Sequence, residues 1–167
     1  MSDLQQKIKE QIQKDDKYTV AKLAQALNVK EIDILLNLPN EVATHANGDK
    51  FDEIIGELET WGEVLIVKNT PSFILEIRSK IGKGSYMRGY YNFSHEAPLS
   101  GHLKASDIDK IVFLSAKVVM GMISHSVMFL DKDGNDIFKV YVARDKNREF
   151  IPEQLEKFQA LKKSFEK

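Results

Sequence analysis

The side chains best suited to chemistry in this 167-residue chain fall in two short stretches. In the first, Leu-Ser-Gly-His-Leu-Lys-Ala, strand alternation places His102 and Lys104 on one face and Leu103 on the other. An imidazole two residues from an ammonium on one face has the chemistry to ligate haem iron and to pair with a propionate. Gly101, beside the histidine, would let a flat macrocycle approach the backbone closely.

The second stretch runs from Arg88 to Phe93 and is rich in aromatic residues. Alternation predicts Arg88 and Tyr90 on one face with Asn92, and Tyr91 on the other face with Phe93. One face then offers a cation beside a phenol, and the other offers an aromatic wall. Phenolate and imidazole are both known ligands of haem iron. On spacing alone, a β-hairpin that packs its aromatic side chains explains the stretch equally well.

The elements that must position these residues follow from hydrophobic periodicity and turn signals. Predicted helices cover residues 4–12, 20–27 and 30–36, and a fourth runs from Asp49 or Lys50 to residue 58. Thr19 is the predicted cap and Asn28 the predicted stop of the second helix, and the Asp-Gly pair at 133–134 predicts a hairpin turn. Predicted strands cover residues 64–67, 73–77, 86–93, 102–104, 111–114, 126–130 and 137–142, and a helix follows Pro152. The sequence therefore predicts an α+β fold with a helical N-terminal subdomain at 1–58. A large antiparallel sheet with a packed C-terminal helix then fills 59–167, and the two parts form one compact unit.

Composition excludes several classes of protein. With 24 basic and 25 acidic residues the formal net charge is -1, which argues against a nucleic-acid backbone as main partner. The absence of cysteine removes disulfides, thiolate metal sites and cysteine nucleophiles. The N-terminus shows no signal-like apolar run and the longest apolar stretch, 118–123, is too short to span a bilayer, so we expect a cytoplasmic protein without membrane insertion.

Motifs for catalysis are missing. The sequence holds no nucleophile elbow, phosphate-binding loop, zinc-protease motif or dinucleotide fingerprint. Residues 19–36 have a helix-turn-helix pattern. However, the second helix presents Lys30, Glu31 and Asp33 where a DNA-reading helix would present basic and amide side chains. A structural helical subdomain is the favoured interpretation.

Several stretches together resemble the HutX/ChuX family of intracellular haem-utilisation proteins over nearly the whole chain. In order, they are Leu38-Pro39, Asp49-Lys-Phe-Asp52, Trp61-Gly-Glu63, Arg88-Gly-Tyr-Tyr-Asn92, Ser100-Gly-His-Leu-Lys104, Met120-Gly-Met122, Phe138-Lys139 and Arg144-Asp145. The set as a whole is more specific than any one of its members.

The resemblance implies a cytoplasmic haem carrier that passes haem to a haem-degrading partner and forms a homodimer. It also implies a fold equivalent to half of the larger two-repeat haem-utilisation proteins. His102 falls on the family's Ser-Gly-His stretch and is the leading axial ligand, while Tyr90 or Tyr91 falls on a Gly-Tyr stretch that supplies the ligand in some members. Arg88 and Lys104 are expected to pair with the propionates.

One departure from the family affects iron coordination. A second family histidine, just after the Trp-Gly strand in some members, corresponds to Asn69 in this chain, so we do not expect two histidines on the iron. The expected site is five-coordinate or has Tyr90 or Tyr91 as a second ligand opposite His102. Two alternatives to a carrier remain open from sequence. They are a haem-degrading enzyme and, with less support, a haem-responsive DNA-binding regulator that uses the N-terminal helices.

Overall fold

The computed structural model describes residues 1–117 and 121–166, so the family-like position Met120 lies outside the described residues. The helices are α1 Asp3–Lys14, α2 Val20–Leu27, α3 Glu31–Leu35, α4 Phe51–Leu58 and α5 Pro152–Ser164. The strands are β1 Ala43–Asn47, β2 Val64–Thr70, β3 Phe73–Ser79, β4 Ser85–Met87, β5 Tyr90–Phe93, β6 Gly101–Leu103, β7 Lys110–Lys117, β8 Ile123–Leu130 and β9 Asp136–Tyr141.

The N-terminal helices begin and end where side chains or special backbone angles satisfy free backbone groups. Ser2 and Gln5 form a capping box at the start of α1. Thr19 accepts a hydrogen bond from the first turn of α2, and Asn28 ends that helix with φ 53°. The predicted cap at Thr19 and the predicted stop at Asn28 are therefore confirmed.

In the part of the chain that the structure describes, the strands form two antiparallel sheets. The larger has six strands in the order β1-β7-β8-β9-β2-β3, and the smaller has three in the order β4-β5-β6. The tight turn between β8 and β9 contains Gly134 at φ 83°, as the Asp-Gly signal predicted. Together with the flanking helices, these sheets confirm the predicted α+β class.

Each face of the large sheet contributes to a separate hydrophobic core. On one face, Phe113 and Phe129 pack with residues of α4, α5 and the small sheet. On the other, Val112 and Leu130 pack with residues of α1, α2 and α3, including Ile8. The small sheet is thus attached to one face of the large sheet, and the N-terminal helices are attached to the opposite face.

Two of the predictions about secondary structure are wrong. Residues 43–47 fall within the predicted helical region but form β1, which pairs with β7 through register partners such as Ala46 and Ile111. Alanine and asparagine have weak strand preference, so this strand depends on pairing with its neighbour rather than on local sequence.

The predicted single strand over 86–93 is two strands joined by a turn. Arg88 and Gly89 both have positive φ, 55° and 81°, and the flanking residues Met87 and Tyr90 are paired. This is the geometry of a two-residue hairpin turn, which matches the natural twist of the strands it connects. Arg88 therefore lies at the hairpin tip and not on a strand face. Within the described residues, no helix is long and apolar enough to cross a bilayer.

Candidate functional site

His102 lies in the middle of β6 with its side chain exposed to solvent. Its neighbour Leu103 is buried, so the alternation predicted for this stretch is confirmed. Gly101 has φ 134°, and apart from its two chain neighbours no heavy atom of the described residues lies within 4 Å of where a Cβ would be at this position. The backbone beside the imidazole is therefore open to close approach by a flat group.

A side chain on the adjacent strand holds the imidazole. Asn92 of β5 is the register partner of His102, and its Oδ1 lies 2.5 Å from the histidine Nδ1. Tyr90, two residues earlier on β5, faces the same side, with its ring centroid 6.2 Å from that of His102. One phenol and one imidazole thus stand next to each other on the outward face of the small sheet.

Tyr91 is separated from this group. It is only 5% exposed and packs edge-to-face against Phe51 and Phe93 in the core. Its hydroxyl accepts a hydrogen bond from the Gly84 N–H at 3.1 Å and donates one to Glu59 at 3.4 Å. Burial raises the pKa of Tyr91, the Gly84 N–H opposes that rise and the Glu59 carboxylate adds to it. This phenol is therefore tied into the interior and keeps its proton.

The two cations predicted to pair with the propionates lie at the same end of the small sheet, beside Tyr90. Arg88 is exposed at the tip of the β4–β5 turn, and Lys104 follows directly after β6. Lys104 forms an exposed ion pair with Asp107 at 3.4 Å. Exposed pairs of this kind are weak, so Lys104 can exchange Asp107 for another anion at little cost in free energy.

A mainly apolar groove of about 250 Å³ runs from His102 toward the free edge of the large sheet. One wall comes from β2, β3 and β9, with Leu75, Ile77 and Phe138, and the other from β5 and β6, with Phe93. Leu75 is still 40% exposed. The groove was not predicted from sequence because its two walls come from different sheets.

Asn69, the residue that the family resemblance matched to a second histidine, lies on β2 next to Lys68. Successive residues of a strand point to opposite faces, and Lys68 lines the groove. Asn69 therefore points to the other side of the sheet from His102. Its buried Oδ1 has no hydrogen-bond partner among the described residues.

A second cavity, of about 580 Å³, lies at the other end of the large sheet and was not predicted. Its half-buried His125 contacts the Ser115 hydroxyl through Nδ1 at 2.9 Å. Burial lowers the pKa of His125, and the cations Lys162 and Arg144 lower it further. Ser115 and His125 are register partners across the β7–β8 hairpin, a pairing that a hairpin prediction centred on that loop would have found.

Known proteins of similar sequence and structure bind or transport haem. A family model described as haem utilisation ChuX/HutX matches residues 44–161. The intracellular haem transport protein HutX of Vibrio cholerae serotype O1 is 35% identical over 162 residues, which are 96% of this chain and 83% of that protein. The structure of the haem-binding protein ChuX is 30% identical, with a TM-score of 0.81 over 96% of this chain and 97% of that one.

A more distant likeness concerns the fold alone. The haem-degrading enzyme ChuS of Escherichia coli is 12% identical, with a TM-score of 0.71. The match covers 96% of this chain and 48% of ChuS. The chain thus has the fold of about half of that larger protein, as the resemblance to two-repeat proteins predicted.

Proposed function

The chain belongs to the haem-utilisation ChuX/HutX family, and we propose that it carries haem inside the cell with the iron held by His102. The observation that carries this assignment is an exposed imidazole on an open backbone, at the end of an apolar groove. Imidazole is a common ligand of haem iron, and the groove offers the porphyrin an apolar surface.

The size of the groove indicates how the macrocycle would lie. About 250 Å³ is below the range of roughly 300–1,000 Å³ typical of sites that enclose a drug-sized ligand. Part of the macrocycle must therefore rest outside the groove. Met87 and Tyr90, 63% and 43% exposed, extend the accessible surface on the outward face of the small sheet. A partly exposed porphyrin suits a protein that hands its cargo on.

The tyrosines differ in what they can contribute. Tyr90 and His102 project from the same face of one sheet, so a flat macrocycle lying on that face meets them from one side. Tyr90 is therefore an alternative ligand to His102 or a contact for the porphyrin ring, and a five-coordinate iron is expected. Tyr91 is the weaker candidate because its hydroxyl is held in the interior by Gly84 and Glu59.

The propionates are assigned to Arg88 and Lys104. Both side chains are exposed, and both lie at the end of the small sheet where β5 begins and β6 ends, close to the outward face that bears His102. A guanidinium can hold a carboxylate through two parallel hydrogen bonds, whereas an ammonium acts as a point charge. Their contribution is to orient the porphyrin, while burial of its apolar surface supplies most of the binding free energy.

The proposed partners are a haem-degrading protein as acceptor and a second copy of the chain. β3 is a free edge of the large sheet, and its residues Phe73, Ile74 and Leu75 are exposed. A long apolar edge strand offers unpaired backbone groups to another strand, and folded proteins usually protect such edges. A homodimer that covers β3 would also bring the partner protomer close to the open end of the groove.

The test is a haemin titration followed by absorption spectroscopy. Wild type should bind one haem saturably with a shifted Soret band. His102→Ala should bind more weakly with a different spectrum, and Tyr90→Phe should resemble wild type. Loss of the spectrum in Tyr90→Phe alone would move the ligand to Tyr90. Absence of saturable binding by wild type would refute the haem assignment.

The enzymatic alternative has its own readout. Haem-loaded protein incubated with ascorbate in air should keep its Soret band if the protein is only a carrier. Conversion of the bound haem to a defined tetrapyrrole product would instead assign a haem-degrading activity.

A further inference from the structure

We propose that Asn92 is a positioning residue that fixes the neutral His102 ring with its proton on Nδ1 and its lone pair on Nε2. The tautomer is a property of the protein without haem. Its consequence for iron rests on the proposed function, because only then does Nε2 meet a metal.

The orientation of the Asn92 amide is determined by its neighbours. The Nδ2 group donates toward three backbone carbonyls, those of Ser85 at 3.1 Å, Met87 at 3.4 Å and Tyr90 at 3.1 Å. A carbonyl oxygen can only accept a hydrogen bond. If the amide were rotated by half a turn, its own oxygen would face three other oxygens. The NH₂ end must therefore point at the β4–β5 turn.

This orientation decides the state of the imidazole. With Nδ2 directed at the turn, Oδ1 is directed at the His102 ring, 2.5 Å from Nδ1. Because Oδ1 can only accept, Nδ1 must carry the proton. A neutral imidazole has one protonated nitrogen, so Nε2 keeps its lone pair. An exposed histidine without such a partner would interchange between its two tautomers.

The hairpin geometry makes this arrangement possible. Asn92 is the central residue of three aligned positions, with Ser85 on β4 and His102 on β6 as its register partners. The two positive φ angles at Arg88 and Gly89 fold β4 back beside β5, which gathers the three carbonyls around one amide. One side chain thus couples the shape of the turn to the chemistry of the neighbouring strand.

For haem binding, the consequence is that His102 is already oriented to ligate iron, while its bond to the iron is of only moderate strength. When a histidine binds a metal through one ring nitrogen, a hydrogen bond from the N–H of its other ring nitrogen to an acceptor fixes the orientation of the ring and increases its basicity. An amide oxygen is a weaker acceptor than a carboxylate, since it carries no charge. Asn92 therefore selects Nε2 for the iron without making the bond as strong as an aspartate would. That balance fits a carrier that must release its ligand.

The first test needs no haem. Nitrogen-15 NMR of histidine-labelled protein at about pH 8.5, where ordinary imidazoles are neutral, separates the two tautomers by nitrogen chemical shift. The His102 signals are identified by their absence in His102→Ala. Wild type should show His102 mainly with its proton on Nδ1. A ring mainly protonated on Nε2, or an even mixture, would overturn the proposal.

The second test uses the haem complex. Asn92→Ala should reduce haem affinity by about 10-fold or more, the usual loss for a partner of a metal ligand. It should also lower the iron–imidazole stretching frequency of the ferrous complex, because the imidazole loses its hydrogen-bond acceptor. This shift reports the ligand's hydrogen bond and would not follow from a general loss of folding.

The outcomes distinguish a failure of the carrier function from a failure of the role of Asn92. If wild type binds no haem but shows the Nδ1-protonated ring, the proposed function fails and the role of Asn92 in the tautomer stands. If wild type binds haem through His102, and Asn92→Ala folds normally with unchanged affinity and stretching frequency, the role of Asn92 toward the iron fails and the carrier function stands.

Discussion

The regions around His102 and His125 show how differently one fold can use an imidazole. His102 is exposed beside a groove of about 250 Å³, whereas His125 is half-buried beside a cavity of about 580 Å³. The ring of His125 packs against Phe150 and Phe158, with centroids 4.9 and 5.3 Å away. The His125 region has the larger cavity. The His102 region is nevertheless better suited to a flat ligand, because its ring nitrogen is accessible beside an apolar surface and the ligand must reach that nitrogen.

The linings of the two regions also differ, because charged side chains are more common around the larger cavity than around the groove. Positively and negatively charged side chains line the larger cavity. One of them is Lys162, whose ammonium donates a hydrogen bond to the Glu41 carbonyl. The groove at His102 is lined mostly by aliphatic and aromatic side chains. A large apolar macrocycle gains most of its binding free energy from apolar contact. A larger share of the cavity lining at His125 is polar, so a macrocycle bound there would have to bury charged groups together with its apolar contacts.

Replacing each histidine by alanine gives the largest expected contrast. His102→Ala should weaken haem binding by about 100-fold or more, since even an outer partner of a metal ligand contributes about 10–100-fold. His125→Ala should leave haem affinity close to wild type, although it removes ring packing against Phe150 and should lower thermal stability. Titration by Soret absorption measures the first effect and circular dichroism the second. A haem defect confined to His125→Ala would reverse the assignment of the two regions.

A pair of adjacent residues on β3 tests whether the groove itself matters. Leu75 lines the groove and Ile74 does not, and both are exposed on the same edge strand. Leu75→Asp should reduce haem affinity by about 10-fold, from the lost apolar contact and the introduced charge. Ile74→Asp is the matched control and should change affinity little. Light scattering of both variants separates a groove effect from loss of a dimer, and equal haem defects would contradict the role of the groove.

The exposed cations should contribute less than the groove. Arg88→Ala and Lys104→Ala are each expected to weaken haem binding by about 2- to 5-fold, in keeping with the small free energies of exposed ion pairs. The loss should shrink as salt is raised, because screening weakens the wild-type contact. Lys132→Ala, at the β8–β9 turn, is the control. Losses that do not depend on salt would argue against propionate pairing.

The smallest effect concerns pH and belongs to the His125 region. Burial, then Lys162 and Arg144, lower the pKa of His125 in the folded state. The unfolded chain therefore takes up a proton first, and stability is lost as pH falls from about 6.5 toward the lowered folded pKa. The melting temperature should therefore fall as the pH falls through this interval. His125→Phe should remove that component, and His102→Ala should retain it. An unchanged pH profile in His125→Phe would show that another group causes the loss of stability.

The parts of the fold that were predicted correctly depend on local signals. The caps at Thr19 and Asn28, and the Asp-Gly turn before β9, act within a few residues and are visible in sequence. β1 was missed because its residues become a strand only through pairing with β7. The break at Arg88 was missed because an arginine is seldom found at positive φ.

For the candidate site too, only the features that depend on local sequence were predictable. Alternation correctly placed His102 outward and separated Tyr90 from Tyr91. It could not show that Asn92 meets His102, because the register between β5 and β6 depends on the course of the loop between them. The groove required the packing of two sheets, which no pattern along the chain encodes.

The left-handed conformation of Arg88 has a consequence for how this protein can change under mutation. Asparagine adopts such a turn position more readily than arginine does, so Arg88→Asn is expected to make the apoprotein more stable while it weakens haem binding. At position 88, stability of the fold therefore favours asparagine, whereas haem affinity favours arginine. A directed-evolution experiment that selects only for heat resistance should discard the arginine early, whereas one that selects for haem retention should keep it.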